Sequence, residues 1–113
     1  MPVTINGTNG IVFNDATGQS TAGGALKAQN GWEKSPSGLI IQWGQTTVMS
    51  GGELRTITFP IAFPVFCANV QTCVIYDGDI NEVFPVRNIT TTSFQALNSN
   101  PQSAAIYWMA IGY

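Results

Sequence analysis

The run Tyr76-Asp77-Gly78-Asp79-Ile80-Asn81-Glu82 gathers an aromatic ring, three carboxylates and an amide into one short stretch. Calcium takes several hard oxygens, and Asp77, Asp79 and Asn81 follow the first half of a calcium loop. The second half departs from it: Glu82 stands where the sixth position needs glycine, and Val83, Phe84 and Pro85 follow. The run therefore reads as a solvated hairpin loop, with ligand contact as its functional alternative and no metal. Glycoside hydrolysis needs a pair of carboxylates roughly 5–10 Å apart. Outside this loop, residues 31–113 offer only Glu33 and Glu53. Histidine is absent, which removes the commonest general base and metal ligand and excludes a Ser-His-Asp triad. The chain reads as a non-enzyme that needs no cofactor.

Residues that bind without reacting are better represented. Tyr76, Asp77, Asp79 and Arg87 form or flank the longest loop, and Asn98 and Asn100 sit in the next. Binding residues concentrate in such loops on β-scaffolds. Ordinary turn residues are the competing reading for each. Trp32, Trp43 and Trp108 offer flat apolar faces that suit sugars. Trp43 and Trp108 lie in the strongest strand-like runs, so they read as core or subunit-interface residues, and Trp32 as a packing wedge. Cys67 and Cys73 share one extended run, on one face and about 20 Å apart at roughly 3.3 Å per residue. A disulfide needs Cα atoms within about 7 Å, so both read as buried free thiols. Asn6-Gly7-Thr8 and Asn88-Ile89-Thr90 match the glycosylation acceptor pattern by chance.

Composition narrows the partners. The 113 residues carry four basic and six acidic side chains, 9% of the chain, against about 25% in ordinary domains. Nucleic acid needs clustered Lys or Arg and is excluded. No stretch approaches the roughly 20 apolar residues of a membrane helix. A surface of uncharged polar residues suits chains that pack on copies of themselves.

Two regions must position these residues. Residues 1–30 are glycine-rich and cannot bury Ile5, Ile11, Val12 and Phe13 alone, so they read as a stem. Its one helix candidate is Thr21 to Asn30, limited by Gly23, Gly24 and Gly31. Residues 31–113 read as a head built from strands and turns. Leu39 to Met49 is expected as one strand with a bulge at Gly44, or as a hairpin turning there. Leu54 to Phe59 alternates, and Pro60 and Pro64 frame a corner that ends it. Phe66 to Tyr76, Val86 to Ile89, Ser93 to Leu97 and Ala104 to Tyr113 complete an antiparallel sandwich of about six strands. The last strand is apolar on both faces, and the chain is expected to end there as the cap of something longer. One face exceeds what a two-layer sandwich needs, so a neighbouring subunit is expected on it.

The blocks GWEKSPSGLIIQWG (Gly31 to Gly44), FPIAFP (Phe59 to Pro64) and the terminal YWMAIGY resemble, in this order, the C-terminal domain of phage and prophage tail fibre proteins. TINGTNGIVFNDATGQSTAGG (Thr4 to Gly24) resembles the stem repeats before such heads. Arg55-x-Ile57-x-Phe59, the Phe-Pro corner, Asn88 to Phe94 and Trp108-x-Ala110-Ile111-Gly112 are similar in order to the H-type lectins, small trimeric sandwiches. The resemblance implies a homotrimer on a virion tail fibre whose tip binds a bacterial surface glycan (lipopolysaccharide or capsule) or an outer-membrane protein. A structural trimerisation cap without a receptor site is the alternative. The lectin sugar site does not carry over, because Arg87 directly precedes Asn88 and no histidine is present.

Overall fold

The computed structural model describes residues 3–7, 10–12, 14–15, 18–19, 23–78 and 83–113. Near the N-terminus, β1 (Thr4–Asn6), β2 (Gly10–Val12) and β3 (Gly18–Gln19) form a small antiparallel meander. Among the described residues these strands touch no strand of the head. Three strands this short give little to bury, and Ile5 is 77% exposed. Phe13, expected to share its burden, lies outside the described residues.

The head is a two-layer antiparallel sandwich. One sheet runs β4 (Gly24–Leu26), β5 (Gly31–Lys34), β6 (Ile40–Gln45), β11 (Ala105–Gly112) and β8 (Cys67–Ile75) in spatial order. The other runs β7 (Leu54–Thr58), β10 (Ser93–Leu97) and β9 (Val86–Arg87). The six expected strands are all present. β4 and β5 are additional, hidden in the sequence by glycines and by the Glu33-Lys34 pair.

Alternation fixes which side chains meet between the layers. Ile57 and Phe59 turn inward from the small sheet while Thr56 and Thr58 turn out. Val70, Thr72 and Val74 do the same from β8, and Ile106, Trp108 and Ala110 from β11. Trp108 packs on Phe59 and Phe94 at centroid distances of 5.7 and 5.5 Å. Phe59 also meets Phe63, from the proline-framed corner, edge-on at 5.0 Å. That corner is tied to the large sheet by the buried Gln42, whose amide donates to the Ile61 carbonyl and accepts from the Ile61 amide. A buried amide used at both ends costs little and fixes position.

Three expectations need correcting. The helix candidate is β4, paired with β5, followed by bends at 28–30. Glycines at 23, 24 and 31 deny a helix two turns, and the neighbouring strand offers ladder bonds instead. Gly44 makes no bulge: its pairing with Trp108 is in regular register. A Cβ there would collide with the Trp108 indole and the Asn30 Oδ1, so the glycine serves close approach. Cys67 and Cys73 do not share a face. The register shifts between the Asn69 and Cys67 pairs, which turns Cys67 inward and leaves Cys73 exposed. Both are free thiols, and burial pushes the Cys67 thiol up.

Trp108→Ala is expected to cost about 3–5 kcal/mol per chain, since it removes the ring joining the layers and leaves a cavity. Urea unfolding followed by far-UV circular dichroism checks this; an unchanged midpoint contradicts the packing described.

Candidate functional site

The antiparallel register sorts the loops to two ends. At one end lie 35–39, the corner 59–66 and the turn 88–92. Gly24 pairs with Lys34 there, so the chain coming from the meander enters the head at this end. At the opposite end lie 27–30, 46–53, 98–104 and the loop that leaves β8 at Tyr76. This distal end carries the expected binding loops. Residue 30 lies there too, so the point of entry is residue 23 and not residue 30.

Much of the distal end is clamped by its own polar groups. Asn98 is fully buried. Its Nδ2 donates to the carbonyls of Met49 and Gln102, and its Oδ1 accepts from the amide and Nδ2 of Asn100. Asn98 and Asn100 were candidates for ligand contact; burial and these bonds make them the internal frame of the loops instead. Arg55 closes the other side. Its Nε donates to Glu53 Oε2 at 2.6 Å, and its guanidinium reaches the Thr47 carbonyl and hydroxyl and the Val48 carbonyl. Glu53 Oε1 also accepts the Ser50 amide. Trp43 donates its indole N–H to the Ala28 carbonyl, and the Gln45 amide donates to Asn30 Oδ1, which pins 27–30 onto β6.

The other candidates have spare capacity. Tyr76 is 42% exposed, and Asp77 is exposed beside it. Among the described residues neither side chain has a hydrogen-bond or ion-pair partner. With Ile75 and Gly78 they line an open groove of about 500 Å³. Arg87 is exposed, pairs through β9 with Gln95 on the outer side of the small sheet, and has no side-chain partner. That lack of a partner holds among the described residues, and Arg87 stands apart from the groove residues as a strand-borne group. Asp79, Asn81 and Glu82 lie outside the described residues.

A second feature was legible from alternation alone. The outer face of the large sheet carries Tyr107 and Met109, 54% and 50% exposed. Ile111 lies beside them on β11, and Ile41 and Trp43 continue the face on β6. Leu39, Phe66 and Tyr113 extend it toward the entry end, with the Phe66 and Tyr113 rings 6.3 Å apart. Asn69, Gln71 and Cys73 border it on β8. It contains no charged side chain across β6, β11 and β8. A contiguous exposed apolar surface of this kind marks an interaction site. Trp32 does not belong to it: its ring lies against Gly24 of β4.

Among the described residues no group of His, Cys, Asp and Glu can hold a metal ion, and no helix is long and apolar enough to cross a membrane. An all-β sandwich on a slender β-stem, with an uncharged apolar side and polar distal loops, is the build of a fibre end. The C-terminal domain of gp53-like tail fibre proteins matches residues 34–113, and the chain belongs to that family. It is 35% identical to the uncharacterised protein MJ0347 of Methanocaldococcus jannaschii, covering 78% of this chain and 66% of that one. It is 40% identical to the uncharacterised protein StfP of Escherichia coli, covering 66% of this chain and 38% of that one. Its fold matches the C-terminal part of the R2 pyocin fibre of P. aeruginosa with a TM-score of 0.74 at 28% identity, over 82% of this chain and 26% of that one. A truncated R1-type pyocin tail fibre matches at 0.69 and 34% identity, over 82% and 87%. The chain thus spans less than two thirds of both curated relatives.

The clamp at Glu53 carries a pH dependence. The hydrogen bond from Arg55, then that from the Ser50 amide, holds the Glu53 carboxyl below its ordinary value of 4.5. A depressed carboxylate contributes stability above its unfolded pKa and loses it as pH falls through the folded one. Glu53→Gln is expected to make the drop in melting temperature below about pH 4.5 shallower. Melting curves of both proteins from neutral pH down to pH 3 check this; parallel curves refute it.

Proposed function

We propose that this chain is the receptor-binding tip of a tail fibre: a homotrimer that holds a bacterial surface glycan with its distal loops. The observation that carries the reading is the division of the head. Its entry end receives the stem, one side is apolar and exposed, and polar groups that bond to no described residue stand at the opposite end. Three copies around an axis bury the outer faces of their large sheets and the exposed Ile5 of their stems together. The family supports the fibre setting, and the shortage of charge supports packing of copies on one another. Sugars are read by hydrogen bonds plus an aromatic face, which Tyr76 and Asp77 offer; Arg87, on the outer side of the small sheet, would be a separate contact. Weak sites suffice, because three on one stem multiply their effect.

A specific observation favours a second reading. The most buried asparagines of the distal end, Asn98 and Asn100, are spent internally. A module that only closes the fibre needs that rigidity and no receptor.

Light scattering on the intact chain is expected to give about three times 12.1 kDa. Labelled protein is expected to adsorb to host cells and to lose adsorption after periodate oxidation of their glycans. A stable monomer at micromolar concentration sinks the trimer. Adsorption that survives periodate points to an outer-membrane protein, and adsorption to no host favours the structural cap.

A further inference from the structure

The loop leaving β8 has a construction that the other distal loops lack. Asn98, Asn100, Arg55 and Glu53 spend their polar atoms on the protein. The Tyr76 hydroxyl and the Asp77 carboxylate spend none on the described residues, and both residues line the groove of about 500 Å³. The Tyr76 ring also lies close against Gly78. A Cβ at Gly78 would come within 2.7 Å of the edge of that ring, so the ring occupies room that only glycine leaves. The result is a partly exposed aromatic plane beside an acceptor-only group, in an open hollow.

We propose that Tyr76 and Asp77 form a subsite for a neutral pyranose, which rests on the reading of the chain as a glycan-binding tip. A pyranose ring has an apolar C–H face and a rim of hydroxyls. The face packs on the tyrosine ring, and the hydroxyls donate to the carboxylate in charge-assisted hydrogen bonds. Charge selects the sugar class. Asp77 is the charged residue among the described residues that line the hollow. A uronic acid or phosphorylated sugar meets like charge there and is rejected. Gly78 is the positioning residue, because it seats the ring and touches no ligand itself.

The test uses the intact chain with isotope-labelled tyrosine. There are three tyrosines, and Tyr76→Phe assigns the Tyr76 ring signals. Methyl α-D-glucopyranoside and methyl β-D-galactopyranoside at millimolar concentration are the probes, with the methyl glucuronoside as the charged counterpart. At least one neutral glycoside is expected to shift the Tyr76 ring signals, and the glucuronoside to leave them in place. Tyr76→Ala is expected to lower cell adsorption about tenfold or more, since three weak sites act together. Gly78→Ala, which keeps every ligand-contacting group but unseats the ring, is expected to lower it as well, and Tyr76→Trp to retain it. No shift with either neutral glycoside, or an equal shift with the glucuronoside, overturns the subsite. Periodate-sensitive adsorption that Tyr76→Ala leaves unchanged also overturns it, while the receptor-binding reading stands. Failure of the parent to adsorb to any host removes that reading instead, and the spectra then decide the subsite alone.

Discussion

The head stands on one contact, the packing of Trp108 against Phe59 and Phe94. These three rings are the place where the five-stranded and three-stranded sheets meet, and both cysteines are free, so no disulfide assists them. Aromatic pairs offset or edge-to-face add to the area they bury. The large sheet must open to admit the indole, and it does so at Gly44, where the cross-strand partner has no side chain. The small sheet must present two rings at the right height, and the alternation of β7 and β10 does that. The corner at 60–64 then brings Phe63 under Phe59, and Gln42 locks the corner by its backbone. Each of these devices is small, and each is needed because the rings fit only one arrangement of the layers.

Periodicity made the fold largely legible. Strands with a buried face alternate, and Thr56, Ile57, Thr58 and Phe59 or Val70 to Val74 show it plainly. The two-faced last strand was legible for the same reason, since Tyr107 and Met109 stand on the face opposite Trp108. What alternation cannot show is a change of phase. The slip between Cys67 and Asn69 is invisible in the run CANVQTCVI, and it separated two cysteines that equal spacing placed together. Glycine was ambiguous for a related reason: Gly44 as bulge, turn or close approach looks identical until its cross-strand neighbour is known.

The binding residues were less legible, because an asparagine in a loop looks the same whether it faces ligand or protein. Asn98 and Asn100 occupy a turn, as expected, but the turn folds over them and their amides bind Met49, Gln102 and each other. Tyr76 and Asp77 lie in an equally ordinary loop and keep their polar atoms unspent. The difference comes from what approaches from far along the chain, here the segment around Met49, and no local pattern encodes it.

The place of β11 in the middle of the large sheet has a consequence for how the protein is made. Synthesis runs from the N-terminus, so β6 and β8 leave the ribosome before the strand that must lie between them. Until β11 arrives, each presents an unpaired edge, and both edges are short of charge and open to association with other chains. Trp108 arrives with that same strand, so the two layers have nothing to close on earlier. A chain interrupted before Ala105 therefore yields no reduced version of the head, only β4–β5–β6 and β7–β10–β9 as separate three-stranded sheets with β8 unpaired. A head forms only on chains translated through the strand that completes both its sheet and its core.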